Sequence, residues 1–260
     1  MPYSNNNGVK IHYEEEGQGP PLVLQHGIMM SINRWRVWGY TDALREEYTL
    51  ILIDARGHGE SDKPHEPGAY TPEYMTGDVA AVLDDLGVEK TRYWGYSMGS
   101  MIGFQLLKSN PTRFSSFVLG GMSPYAWQSK EEQDYIGFLR EGGRIGARDG
   151  AEALITAMEK AGPLTESWKQ QLRETDWPAI DACFRNLDNW SLADDVLAGF
   201  STPCLLYAGS RDPWSSGARR CAGVMPSASF VSIPGLDHSD TFDASSLVLP
   251  HVKRFLSEAA

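Results

Sequence analysis

Short apolar and β-branched runs alternate with helical patterns along most of the chain, and this alternation limits the fold more than any other feature. The runs cover residues 9–13, 21–25, 49–54, 91–95, 115–120, 203–209 and 229–234, bounded by Gly, Pro or Asp. Leu50-Ile51-Leu52-Ile53 and Cys204-Leu205-Leu206-Tyr207 have no polar face, as strands covered by helices on both sides require. Between the runs, Val79, Val82, Leu83 and Leu86 fall on one helical face, after a Thr71-Pro72 pair suited to N-cap and first-turn positions. Val248, Val252, Phe255 and Leu256 form a second such stripe. The expected class is α/β, with a mostly parallel sheet, right-handed crossovers and flanking helices.

One interval interrupts the pattern. From about 123 to 200 there is no convincing strand, only helix-like segments such as 150–160 and 166–174. These carry Tyr125, Trp127, Trp168, Trp177 and Trp190, whose rings have two possible destinations, the mouth of the sheet or a local helical mini-core. The chain therefore divides into a core, 1–122 with 201–260, and a helical insertion, 123–200.

Length and charge narrow the classes. With 260 residues, the chain has room for one well-buried domain with an insertion. A net charge of −11 disfavours nucleic acid and anionic membrane surfaces, whose phosphates would be repelled. No apolar stretch approaches the roughly 20 residues of a membrane helix, and residues 1–8 are polar, so a cytoplasmic protein is expected. Cys183, Cys204 and Cys221 form no CxxC pair, and a disulfide framework is not expected. No HExxH, clustered His/Cys set or GxGxxG is present, so neither a metal nor another cofactor is called for.

The chemistry centres on Gly95-Tyr96-Ser97-Met98-Gly99. The pentapeptide alone is weak, but this one ends a strand-like run and opens a helical stretch, 98–108. A sharp strand-to-helix turn lifts the serine hydroxyl and leaves no room for Cβ atoms beside it. It also sets a helix N-terminus behind the serine, with the Met98 N–H free to face an oxyanion. A serine nucleophile needs a base, and the base an orienting carboxylate. His238, just past the run 229–234, is the histidine in the right order and place. Asp212, past 203–209, is the favoured acid, with capping of the helix near Trp214 as the competing role. Asp237 and Asp240 are competitors for the acid, but as near neighbours of His238 their side chains tend to splay away from its ring. The loop after 21–25 offers the Ile28 N–H as second oxyanion donor. His26, Trp127, Trp190 and Trp214 are candidates for the pocket wall, and for His26 a structural role holding that loop competes. Arg34, Arg36 and Arg140 are read as solvated or salt-bridged side chains.

Together, His26-Gly27, the stretch Asp54-Ala55-Arg56-Gly57-His58-Gly59-Glu60-Ser61, the serine turn, Asp212 and His238 resemble the α/β-hydrolase superfamily over essentially the whole chain. The resemblance implies that 54–61 is a structural turn outside the active site. It also implies that 123–200, following strand six in the family's order, is a cap that selects substrate. Haloalkane dehalogenases and epoxide hydrolases of this fold carry an aspartate where Ser97 stands. Carbon–carbon hydrolases of aromatic meta-cleavage usually show H-G-x-G-P-G where this chain has His26-Gly27-Ile28-Met29-Met30-Ser31, and Trp where it has Ser239. The expectation is a serine hydrolase that cleaves a carboxylic ester of a small or medium apolar molecule through an acyl-enzyme. Carbon–carbon hydrolysis and lactone opening remain alternatives, as does a ligand receptor that keeps the fold. Perhydrolysis is a conceivable side activity. Oligomeric state has no signature.

Overall fold

The structure, a computed structural model, describes residues 2–160, 162–187 and 190–259. Eight strands form one sheet: β1 (Tyr3–Asn6), β2 (Val9–Gly17), β3 (Pro21–Gln25), β4 (Thr49–Ile53), β5 (Thr91–Tyr96), β6 (Phe114–Gly120), β7 (Cys204–Gly209) and β8 (Ala228–Ile233), in the order β1-β2-β4-β3-β5-β6-β7-β8. The pairs β1–β2 and β2–β4 are antiparallel, and every pair from β4–β3 onward is parallel. Each run expected from the sequence is a strand, shifted by a residue or two at its ends, except that β2 continues to Gly17 through Glu14–Glu16. β1 escaped notice because Tyr-Ser-Asn-Asn has neither apolar alternation nor length.

Pleating sorts the central strands onto two faces. Val23, Ile51, Tyr93 and Phe117 share one core with Val79, Val82 and Leu83 of α3 (Pro72–Asp85) and Ile102 and Phe104 of α4 (Met98–Ser109). Leu22, Leu24, Leu50, Leu52 and Trp94 form the other core. They meet Trp35 of α1 (Asn33–Val37), Tyr40 and Leu44 of α2 (Tyr40–Leu44), Phe242 of α11 (His238–Asp243) and Val248, Val252 and Leu256 of α12 (Ser245–Glu258). The α3 start is the expected one: the Thr71 hydroxyl accepts the Tyr74 N–H at 3.4 Å, with proline in the first turn.

Between β6 and β7 the chain forms α5 (Lys130–Asp149), α6 (Ala151–Glu159), α7 (Glu166–Glu174), α8 (Trp177–Phe184) and α9 (Asp194–Leu197), with no strand among the described residues. Side-chain caps begin three of these helices: a reciprocal Ser129/Glu132 box on α5, Thr165 on α7 and Asp176 on α8. Their apolar residues run into the first core without a break, through Ile136, Leu154, Ile155, Leu172 and Ile180. Remaining on the body of the fold is α10 (Ser215–Val224), which packs beside β7 and β8.

The 54–61 turn is a structural knot, in keeping with the role its resemblance implied. Asp54 accepts the N–H groups of Ile32 (2.9 Å) and Glu60 (3.1 Å), and lies 2.8 Å from His12 Nδ1. Burial works against its charge, but His12, His26 and those amides outweigh it and hold the carboxyl below its usual range. Arg56 pairs bidentately with Asp78 of α3, at 2.7 and 2.6 Å, both side chains being buried. All three cysteines are buried thiols. Burial pushes Cys183 and Cys221 up to about 12 and raises Cys204 as well. No helix among the described residues is long and apolar enough to cross a membrane.

Candidate active site

Ser97 sits between β5 and α4 with φ at 53°, a left-handed conformation that costs a non-glycine residue about 1–3 kcal/mol. Backbone bonds impose it: the Ser97 N–H donates to Gly120 O at 2.8 Å, and its carbonyl accepts from Ser100 and Met101. The flanking glycines are sterically required. A Cβ on Gly95 would lie 2.3 Å from Gly99 O, and one on Gly99 would lie 2.1 Å from Gln25 O. Gly99→Ala is therefore expected to lower stability by about 1–3 kcal/mol through overpacking against backbone. Gly223→Ala, which meets nothing within 4 Å, is the control. Equal urea midpoints for the two variants would show that the turn has room the structure denies it.

The three residues singled out for chemistry converge. His238 Nε2 lies 3.0 Å from Ser97 Oγ, and His238 Nδ1 lies 3.0 Å from Asp212 Oδ2. Asp212 does not cap α10, whose N-cap is Trp214 with no side-chain bond; its Oδ1 accepts the Trp214 N–H at 3.0 Å in the turn before that helix, while Oδ2 faces the histidine. Asp237 is engaged elsewhere: it caps α11 by accepting the Asp240 N–H at 2.9 Å. The imidazole is held by rings, with Trp214 at 4.9 Å and Tyr96 and Tyr135 each at 5.4 Å between centroids. The Tyr96 hydroxyl donates to the His238 carbonyl. Met98 opens α4, so its N–H has no intrahelical acceptor, and no acceptor answers the Ile28 N–H among the described residues.

Ser97 and His238 open onto a cavity of about 330 Å³ beneath the inserted helices. Its walls are apolar, with Leu154, Met158, Leu164, Leu172, Trp168 and Trp177 from the insertion, and Glu141 is the charged residue among them. The insertion reaches the oxyanion-side loop directly. Gln171 of α7 donates to the carbonyl of Met29, itself left-handed at φ 58°. Arg34 ties the same region together, pairing with Asp243 at 3.1 Å and lying 4.9 Å from the Trp168 ring centroid. Arg36 pairs with Glu14 and Glu16, and Arg140 lies over the Trp127 ring, so none of the three arginines lines this cavity.

The pocket-wall candidates are corrected in part. His26 is fully buried and away from the cavity. Its Nδ1–H donates to Gly27 O at 2.7 Å and its Nε2 accepts the Ala55 N–H at 3.1 Å, so it pins the loop as a neutral imidazole. Burial lowers its pKa accordingly. Trp190 lines a separate 140 Å³ cavity, and Trp127 and Trp214 bound a small recess beside Ser97 rather than the main cavity. The insertion's rings thus pack against the body of the fold, in one continuous core with it, and not in a separate helical mini-core. Sequence reasoning missed the aliphatic walls of α6 and α7, because a helical stripe shows that a face is buried and not what it faces.

Parallel strands delivering a serine, an acid and a histidine from their C-terminal ends define a hydrolase of the α/β type. The family model for the alpha/beta hydrolase fold matches residues 20–245, and the chain belongs to that family. It is 33% identical over 116 residues to epoxide hydrolase 3 of Siraitia grosvenorii, covering 44% of this chain and 36% of that one. It is 25% identical over 210 residues to 3-oxoadipate enol-lactonase 2 of Acinetobacter baylyi, covering 79% of this chain and 77% of that one. Among solved structures, the esterase RhEst1 from Rhodococcus sp. ECU1013 superposes with a TM-score of 0.82 at 24% identity, over 99% of this chain and 98% of that one. The chain spans between about a third and three-fifths of the length of the curated relatives it matches first.

Proposed function

We propose that the protein is a serine hydrolase that cleaves a carboxylic ester of an apolar molecule through an acyl-enzyme. The observation that carries this reading is the Ser97–His238–Asp212 relay, with both links at 3.0 Å, at the floor of an apolar cavity. His238 Nε2 takes the Ser97 proton as Oγ attacks the carbonyl carbon, while Nδ1–H donates to the Asp212 carboxylate and stabilises the imidazolium. The Ile28 and Met98 N–H groups hold the oxyanion; losing one such donor costs about 10²–10³ in rate. Imidazolium then protonates the departing alcohol; water, deprotonated by His238, attacks the acyl carbon, and Ser97 Oγ leaves and takes its proton back from the imidazolium as the acid is released. Residues 123–200 serve as the cap that supplies the cavity roof.

Two of the named relatives bear on the choice of chemistry. The resemblance set out above places an aspartate at the position of Ser97 in epoxide hydrolases of this fold, and the serine here favours acyl transfer over epoxide opening. A lactone is a cyclic ester, and the same relay opens it, so the enol-lactonase relative supports the same reaction class. Glu141 places a carboxylate in the cavity wall, which favours neutral substrates over anionic ones. The test is labelling of intact protein with a fluorophosphonate. An adduct on the peptide bearing Ser97, with ester hydrolysis lost in proportion to labelling, is expected. A folded protein that hydrolyses esters while Ser97 stays unlabelled would overturn the proposal.

A further inference from the structure

Two spaces of very different size meet at Ser97. One is the 330 Å³ cavity, whose lining includes His238, Ser239 and Tyr135. The other is a recess of about 10 Å³ bounded by Met98, Met122, Trp127, Phe184, Leu187 and Trp214, and His238 is not in its wall. An ester bound at Ser97 must place its acyl group in one and its alcohol in the other. Microscopic necessity decides which: the leaving oxygen has to reach the imidazolium that protonates it. The alcohol therefore occupies the space that His238 faces, and the acyl group lies in the recess. A recess of that size holds about one water-sized group, which is the scale of an acetyl methyl.

Beyond the recess lies the separate 140 Å³ cavity lined by Phe104, Tyr125 and Trp190, and the two share Met101, Trp127 and Leu187 as a common wall. Trp127 is the largest member of that wall, and the Arg140 guanidinium lies 5.3 Å from its ring centroid on the insertion side. Empty space thus exists next to the recess, with Met101, Trp127 and Leu187 lining both.

Resting on the serine hydrolase reading, we propose that this enzyme acts on acetyl-scale esters of bulky, apolar, uncharged alcohols, and that Trp127 and Leu187 are the specificity-determining residues that set acyl length. Three measurements test it. In wild type, kcat/KM for p-nitrophenyl esters should fall at least about 100-fold from acetate to butyrate, since one methylene is worth about 10–200-fold in a fitted pocket. Acetates of alkanols of similar acidity should rise in kcat/KM from ethyl to cyclohexylmethyl. Trp127→Ala and Leu187→Ala should each raise the butyrate-to-acetate ratio by about 10-fold or more by joining the recess to the cavity behind it. Trp127→Phe offers a milder change if the alanine variant folds poorly, and the wild-type series needs no variant. Wild type that turns over octanoate as well as acetate, with Ser97 labelled by fluorophosphonate, would overturn the acyl-size assignment and leave the serine hydrolase reading standing. Absence of both ester turnover and Ser97 labelling would remove the reading itself and this inference with it.

Discussion

Ser97→Ala is expected to lower kcat for a good acetate ester by about a million-fold, with the fold unchanged. The magnitude follows from what the hydroxyl supplies. Without Oγ there is no acyl-enzyme, and His238 has no proton to take at 3.0 Å. What remains is the oxyanion hole and substrate positioning, worth a residual about 10³–10⁴ over water. His238→Ala should cost a similar factor, because an unassisted hydroxyl is a poor nucleophile at neutral pH. Since the two act as one unit, the double variant should be no slower than either single one. Steady-state rates with purified protein, after removal of any contaminating esterase by affinity chromatography, measure this. Multiplying penalties in the double variant would show that the two side chains contribute independently. The backbone strain at Ser97 does not change with the substitution, since the N–H bond to Gly120 and the paired glycines impose it.

Asp212→Asn should cost about 10⁴ in kcat, and the reason lies in the second oxygen. Oδ1 accepts the Trp214 N–H at 3.0 Å, a bond that the asparagine carbonyl can keep. Keeping it turns the amide NH₂ toward His238 Nδ1, which must then accept. The imidazole proton moves to Nε2, where it points at Ser97 and cannot receive the serine proton. The variant therefore keeps the turn before α10 and the histidine position while inverting the tautomer. A thermal midpoint close to wild type combined with the rate loss is the expected pair of results. A rate within about tenfold of wild type would show that the carboxylate does not set the tautomer.

How much of this was legible before the structure depended on the kind of signal. β3 and β4 were readable almost to the residue because strands buried on both faces leave continuous apolar runs. The site was readable because its members lie at strand ends, where chain order and the elbow's steric demands are local facts. The cavity wall was not. Trp168 and Trp177 line it whereas Trp127 and Trp190 face other spaces, yet all four are tryptophans on one helical insertion. Trp168 and Trp177 lie on α7 and α8, whereas Trp127 and Trp190 lie on irregular chain before α5 and after α8, and no periodicity records where tertiary packing places each ring. His26 shows the same limit in the core: its position beside the oxyanion loop suggested a pocket, whereas the Ala55 N–H that engages it comes from a strand turn 29 residues away.

Cys183 lies on α8 of the insertion with its Sγ 3.9 Å from Met98 Sδ at the elbow, fully buried and with burial pushing the thiol up to about 12. A maleimide can reach that sulfur only when the insertion parts from the sheet, and the thiolate it consumes forms readily only in water. Alkylation of Cys183 is thus a clock for opening, independent of turnover. Cys204 in β7 and Cys221 on α10 lie within the same core and supply the reference rate for wider unfolding. The ratio of the two rates separates breathing of the roof from loss of the fold.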